Sequence, residues 1–340
     1  MQRILIVRLG SLGDLVHALP AVAGIRSAHP TATLDWLVDV RHREFLALVP
    51  LVDAIHEWQP PTVRAWRPAL RTLGRLRAVG YDVAVDLQGL LKSATLARLS
   101  GARRIVGFSA SALREPAARR LYTEVVDPGS ATHVIDKNRA LVAAIGAATP
   151  AHAFPLVTPG SAVPSAVQQA LGGESQRFAL LNPGAAWPNK RWPAERFGQL
   201  ASHVLDRHGM SSVVVWGPGE RALAERVVQA SGGCALLAPV TTVGDLVSLA
   251  RAATCMVAGD TGPLHVAAAV GTPVVGIYGP TDPARNGPWA ASDQVVSRYP
   301  SCECRYRRSC AADAWCLASA TLAEVQAAVD RRLERVDDDD

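Results

Sequence analysis

The apolar positions of this chain follow two alternating rhythms. Residues 3–9 form an apolar run, and 34–38, 54–58, 83–87 and 104–108 are further short strand candidates. Between them, residues 68–78 and 91–99 space their apolar positions at helical intervals, and an amphipathic stretch follows the first run to residue 27. Strands alternating with helices predict a parallel, doubly wound sheet whose ligand-bearing loops lie at the carboxyl ends of the strands.

The rhythm breaks over residues 147–167, a stretch rich in Pro, Ala and Ser with little charge, which reads as a linker. A second series then starts. Strands are predicted at 178–182, 212–216, 235–237, 255–258 and 274–278, and helices at 194–207, 221–229, 243–252 and 263–270, with a final helix over 322–333. The expected organisation is a domain over 1–150, a second over 168–320, and a terminal helix with an acidic tail over 321–340. The length of 340 residues suits two such cores. The fold class expected is α/β, two Rossmann-like halves facing each other across a central cleft.

Composition narrows the class. With 49% hydrophobic and 19% charged residues the chain reads as globular rather than disordered. No apolar run approaches the roughly 20 residues that span a bilayer, and the N-terminus lacks the apolar core and cleavage site of a signal peptide, so a cytoplasmic protein is expected. Removing the four aspartates of the 337–340 tail from the net charge of +5 leaves +9 on the body, which points to an anionic partner. No basic motif interleaved with aromatics accompanies that charge, so nucleic acid is the inferior reading.

Several loops at strand ends carry candidate chemistry. GSLGD at 10–14 follows the first strand. Ser11 and Asp14 have the spacing of a helix capping box, yet Asp14 also sits where a carboxylate can take a proton from an attacking hydroxyl. His17, one turn on, either packs or hydrogen-bonds that carboxylate. NPGAAWPNKRWP at 182–193 lies between a strand and a helix, an arrangement that forms anion sites. Lys190, one of only three lysines (with Lys92 and Lys137), places a positive charge there. AGDTGPLH at 258–265 closes another strand. Asp260 and Thr261 suit an N-cap and Pro263 a first helical turn, but capping does not explain His265 or the YGPTDP loop at 278–283 that ends the next strand. Glu220, in the loop WGPGE, is either an acceptor for ribose hydroxyls or an acid favoured by a helix dipole.

In order, "ILIVRLGSLGDLVHALPA", "NPGAAWPNKRWP" and "GDTGPLHVAAAVGTPVVGIYGPTDP" resemble glycosyltransferase family 9, the ADP-heptose:lipopolysaccharide heptosyltransferases. The segment "YDVAVDLQGLLKSATLARLSG" with "ALREPAARRLY" is similar to the heptosyltransferase I branch of that family. The resemblance implies a GT-B fold and an inverting transfer of heptose from ADP-heptose to a Kdo residue of Kdo-lipid A. It implies that the enzyme is peripheral to the cytoplasmic face of the inner membrane. By the same resemblance Asp14 is the general base and Lys190 contacts the donor phosphates. Thr261 and Gly262 offer backbone donors, Asp260 and His265 lie beside the heptose, and Glu220 meets the ribose. Such chemistry requires no catalytic cofactor, because protein charges stabilise the leaving ADP. Ala185 and Ala186 depart from the family pattern, which places hydroxyl-bearing side chains there; backbone N–H groups must then serve the phosphate.

An acidic lipid-linked acceptor calls for a basic rim. Arg64, Arg67, Arg71 and Arg75 are spaced to share a helical face, and Lys92 and Arg114 fall in the branch-specific segment. A solvated helix face is the competing reading. Other outcomes are a family 9 transferase with a different sugar or acceptor, a Rossmann oxidoreductase, which the missing G-x-G-x-x-G disfavours, and a non-catalytic nucleotide-sugar-binding protein. Finally, Cys302, Cys304, Cys310 and Cys316 crowd into fifteen residues, with structural zinc, free or paired thiols and an iron–sulfur cluster as the open alternatives.

Overall fold

The computed structural model describes residues 2–62, 66–147, 153–173, 176–310 and 315–337. The chain separates into two compact units, Met1–Val157 and Thr158–Asp340. The first runs β1 (Arg3–Val7), α1 (Leu12–Ala28), β2 (Thr33–Asp39), α2 (Arg43–Leu46), β3 (Ala54–Trp58), α3 (Arg67–Val79), β4 (Val83–Asp86), α4 (Leu91–Leu99), β5 (Arg104–Phe108), β6 (Glu124–Val126) and α5 (Val134–Ala143). Its strands pair in parallel in the order β3-β2-β1-β4-β5-β6. The apolar runs form the sheet's centre: Ile4 to Val7 and Val83 to Val85 are fully buried. The sequence pattern misses β6 for a physical reason. It is a three-residue edge strand with no buried residue, so hydrophobicity gives it no signal.

The second unit runs α6 (Val163–Ala170), β7 (Phe178–Asn182), α7 (Ala194–His208), β8 (Ser211–Val214), α8 (Arg221–Ala230), β9 (Ala235–Leu237), α9 (Val243–Ala252), β10 (Cys255–Gly259), α10 (Gly262–Ala269), β11 (Val274–Tyr278), α11 (Pro283–Asn286), β12 (Gln294–Ser297) and α12 (Leu322–Asp337). Its parallel order is β12-β11-β10-β7-β8-β9, the same topology as the first unit. Alternation along β7 feeds two cores. Ala179 and Leu181 join Trp192, Phe197 and Leu200 on one face, while Phe178 and Leu180 join Leu249, Leu264 and Val167 on the other.

Two expectations change here. Part of the stretch read as linker is folded: α6 begins within it, Val167 is buried in the second core, and the Ser161 hydroxyl donates to Asp245 at 2.7 Å. The final helix is no separate appendage either, because Val325, Ala328, Val329 and Leu333 of α12 complete the first of those two cores. The acidic residues 338–340 lie outside the described residues.

Helices α7 and α8 approach closely at Gly198, where a Cβ would stand 2.5 Å from Ala230 Cβ and 2.6 Å from its backbone carbonyl carbon. Gly198→Val forces backbone apart rather than a flexible side chain. We expect a loss of about 1–3 kcal/mol, read as a lower urea midpoint for the second unit.

Candidate active site

In each unit the strand order reverses between the first and fourth strands, the point at which a doubly wound sheet places its ligand-bearing loops. Of the sequence-predicted residues, Asp14, Lys190, Asp260, Thr261 and Gly262 lie on the connections that follow these strands or in the first turn of the helices after them. In the first unit, Asp14 stands in the first turn of α1. Its carboxylate accepts from the Ser11 backbone N–H at 2.9 Å and the Ser11 hydroxyl at 3.0 Å, and pairs with the Arg8 guanidinium at 2.5 Å. Arg8 is buried and crosses the switch point to donate to the carbonyl of Leu87, beyond β4. Asp14 is therefore both a helix-capping acid and a carboxylate held by a buried cation, with its side chain 31% exposed. The two readings of the sequence coexist in one residue.

His42 closes over this loop. A Cβ on Gly10 would stand 2.6 Å from the His42 ring, and Gly10 holds φ at +146°, so both space and backbone demand glycine there. Burial pushes the His42 pKa down, opposed by the charges of Asp39 and Asp14. His17 is buried with its ring edge-on to His133, centroids 5.6 Å apart.

In the second unit, the loops after β7 and β10 meet. Lys190 Nζ pairs with Asp260 Oδ2 at 2.5 Å. The same carboxylate accepts from Thr281 Oγ1 at 2.6 Å, Asn286 Nδ2 at 2.7 Å and the His265 ring at 3.0 Å. Burial alone would raise the pKa of Asp260, but the His265 hydrogen bond and the Lys190 charge outweigh it and hold the carboxyl far below its usual range. Asn182 ties the two loops by donating to the Thr261 hydroxyl at 3.2 Å. Gly259 lets the strand end pass the Lys190 carbonyl, where a Cβ would approach to 2.6 Å. Thr261 caps α10 in an extended conformation, so the N–H groups of its first turn, from Gly262 on, open toward the same loops.

Glu220 lies beside them. It accepts from the Gly217 N–H at 3.1 Å and lies 3.9 Å from Arg191, and a Cβ on Gly184 would meet its carboxylate at 2.0 Å. Arg191 donates to the Ala185 carbonyl at 2.8 and 3.0 Å, so the two-alanine turn is held through its backbone. A cavity of about 480 Å³ borders this loop, lined by Arg191, Trp192, Glu195, Arg226, Arg308 and Trp315 among others. It includes neither Lys190 nor Asp260, so it is not where the charged groups converge.

The remaining candidates divide. Arg67, Arg71 and Arg75 are exposed along α3, as are Lys92 and Arg114; Arg64 lies outside the described residues. Cys302, Cys304 and Cys316 bring their sulfurs within 4.8 Å of one another, whereas Cys310 is not part of that convergence. The three thiols could hold a metal ion. A second group, His203, His208 and Asp330, joins α7 to α12, both rings meeting one carboxylate oxygen at 2.9 and 2.8 Å. Sequence reasoning missed Arg8, Thr281 and Asn286. A lone arginine ending an apolar strand was a signal for the first, while Asn286 meets Asp260 only through the fold.

Comparison with known proteins agrees with this geometry. The profile of glycosyltransferase family 9 (heptosyltransferase) matches residues 69–316. Lipopolysaccharide heptosyltransferase 1 of Pseudomonas aeruginosa is 32% identical over 324 residues, covering 89% of this chain and 86% of that protein. Among solved structures, E. coli heptosyltransferase WaaC with ADP-2-deoxy-2-fluoro heptose is similar with a TM-score of 0.73 and 26% identity, over 97% of this chain and 99% of that one. E. coli ADP-heptose lps heptosyltransferase II superposes with a TM-score of 0.76 at 21% identity, over 99% and 100% of the two chains. The fold is GT-B, built from two Rossmann-like parallel-sheet domains. Among the described residues no helix is long and apolar enough to cross a membrane.

The Asp260 cluster makes a testable demand on stability. Asp260→Asn leaves Lys190 without its buried counter-charge and should cost about 3–5 kcal/mol in urea unfolding. Because the folded-state pKa lies below the unfolded one, this contribution is complete above the ordinary carboxylate pKa and is lost as pH falls toward the depressed value. The gap between wild type and variant should stand fully open at about pH 6 and narrow only below about pH 4.

Proposed function

The chain belongs to glycosyltransferase family 9 (heptosyltransferase), and on that premise we propose that it transfers heptose from ADP-heptose to a Kdo residue of Kdo-lipid A, with inversion at the anomeric carbon. The observation that carries the donor half is the convergence of Lys190, Asp260 and the opening turn of α10 at one switch point. Cleavage of the bond between heptose and ADP leaves charge on the diphosphate. The Lys190 ammonium and the N–H groups at Thr261 and Gly262 are placed to stabilise such charge. Asp260 holds Lys190 until the donor phosphates share it, and His265, Thr281 and Asn286 hold Asp260. Asp260 and His265 border the heptose, and Glu220 accepts hydrogen bonds from the ribose hydroxyls.

The acceptor hydroxyl is a weak nucleophile until its proton leaves. In this reading Asp14 takes that proton as the new C–O bond forms, while Arg8 and Ser11 fix the direction of its carboxylate. The acceptor carries carboxylates and phosphates, for which Arg64, Arg67, Lys92 and Arg114 supply positive charge. The relatives' names, lipopolysaccharide heptosyltransferase 1 and ADP-heptose lps heptosyltransferase II, support the donor and the lipopolysaccharide acceptor. A lipid-linked acceptor places the enzyme in the cytoplasm at the inner-membrane face.

Incubation with ADP-heptose and Kdo-lipid A should add the mass of one heptose to the acceptor, and no mass gain overturns the reading. The Asp14→Ala variant should lose about 10²–10⁴-fold in kcat while its Kd for ADP stays within about twofold, since that side chain does not meet the donor in this scheme. Retained turnover would remove Asp14 from the role of base. The Lys190→Ala variant should raise the Kd for ADP by about tenfold or more, equivalent to about 1.4 kcal/mol.

A further inference from the structure

Behind the donor loops lies a group of side chains that the transfer reaction does not use. Cys302 and Cys304 are 3% and 4% exposed, and Cys316 reaches them from across residues 311–314, which lie outside the described residues. The sulfurs of Cys302 and Cys304 are 3.6 Å apart. A disulfide would need about 2.05 Å. Two thiolates at about 2.3 Å from one tetrahedral zinc stand about 3.8 Å from each other, so the observed separation is that of an edge of a zinc–sulfur tetrahedron. The third thiol, Cys316, comes from a separate stretch, and the three sulfurs lie within 4.8 Å of one another.

The surroundings of the sulfurs suit a metal centre. The buried Asn189 side chain donates to Cys304 Sγ at 3.7 Å and to the Arg307 carbonyl at 2.9 Å. An N–H group directed at a ligating sulfur is the usual outer support of a metal–thiolate site. Asn189 is the residue before Lys190. On the other side, a Cβ on Gly279 would stand 2.9 Å from Cys316 Sγ, and Gly279 opens the loop that delivers Thr281 to Asp260. The Tyr306 N–H, two residues past Cys304, donates to Pro280 of that loop at 2.8 Å. Next to Cys316, Trp315 donates to the Arg191 carbonyl at 2.7 Å. The cysteine segment thus touches both loops that place charge at the donor site.

We propose that Cys302, Cys304 and Cys316 bind one zinc ion as thiolates, with the fourth position left to Cys310, and that this ion braces the loops carrying Lys190 and Thr281. Binding releases the thiol protons and involves no change of oxidation state. The ion takes no part in the transfer. Its effect is mechanical: it adds a bond between Cys302, Cys304 and Cys316 to the hydrogen bonds of Asn189, Tyr306 and Trp315 and the packing of Leu317 that already join these loops to the cysteine segment, so that less of their ordering falls to the donor on binding. The zinc site stands on its own geometry, whereas its link to donor affinity rests on the proposed function.

The experiment uses the full-length protein purified anaerobically. Metal analysis should find about one zinc per chain, and substitution with cobalt should give a thiolate-to-cobalt charge-transfer band. A mercurial should release the metal stoichiometrically, and Cys302→Ser and Cys316→Ser should lose it while Cys234→Ser retains it. Calorimetric titration with ADP should show a Kd about tenfold to a hundredfold weaker in the metal-free protein, restored by adding zinc back. Reversible removal from the wild type, with circular dichroism unchanged, covers the case in which a cysteine variant fails to fold. Substoichiometric metal, or its retention in both cysteine variants, overturns the site. Stoichiometric zinc whose removal leaves ADP affinity unmoved overturns the bracing. Lys190→Ala in zinc-loaded protein tests the donor loop separately, so failure of that reading is distinguishable.

Discussion

The second unit is organised around one buried carboxylate. Asp260 brings a negative charge to the end of a fully buried strand, which carries a heavy desolvation cost unless cations and donors surround it. Its four partners come from three separate segments: Lys190 after β7, His265 in α10, and Thr281 and Asn286 after β11. The requirement to satisfy one charge therefore fixes the mutual positions of these loops. Fixing them also fixes where the Lys190 ammonium and the first turn of α10 point. A site that must stabilise charge on a departing diphosphate benefits from groups that do not reorganise when that charge appears.

The first unit applies the same device with the signs reversed. There the buried group is a cation, Arg8, which crosses from β1 to the loop after β4 and presents its guanidinium to Asp14. Both pairs sit at the point where the strand order reverses, since only there do neighbouring loops run in opposite directions and leave room for side chains. The duplicated topology thus supplies two equivalent places, and the chain spends one on a partly exposed carboxylate and the other on a half-buried lysine. The cysteine segment extends the second arrangement outward, reaching Lys190 through Asn189 and Thr281 through Gly279.

Much of this was legible in the residue pattern. The strands at 54–58, 104–108, 178–182, 235–237 and 274–278 agree with the observed elements residue for residue, and those at 178–182 and 274–278 are fully buried runs bounded by turns. Two of the four edge strands, β6 and β12, gave no such signal. β6 and β12 are half-exposed, and their pairing is decided by the sheet that receives them. The helix inside the Pro- and Ser-rich stretch escaped for a related reason: α6 has one buried residue, Val167, and is stabilised by docking rather than by its own pattern.

The sequence by itself determined the architecture, two rounds of parallel α/β folding, and the loops on which Asp14, Lys190 and Asp260 lie, since these follow from local periodicity and from glycines and prolines at strand ends. What only the tertiary structure decided is which partners those residues take. Local spacing offered capping or proton transfer for Asp14, and only the fold shows that a buried Arg8 pairs with it. Lys190 and Asp260 are seventy positions apart, and nothing local says that they meet at 2.5 Å. Spacing put four cysteines in one cluster, and the fold shows which three of them, Cys302, Cys304 and Cys316, bring their sulfurs within 4.8 Å of one another. The reason is physical: the choice of partner for a charge or thiol depends on what is buried beside it, and burial is a property of the folded chain.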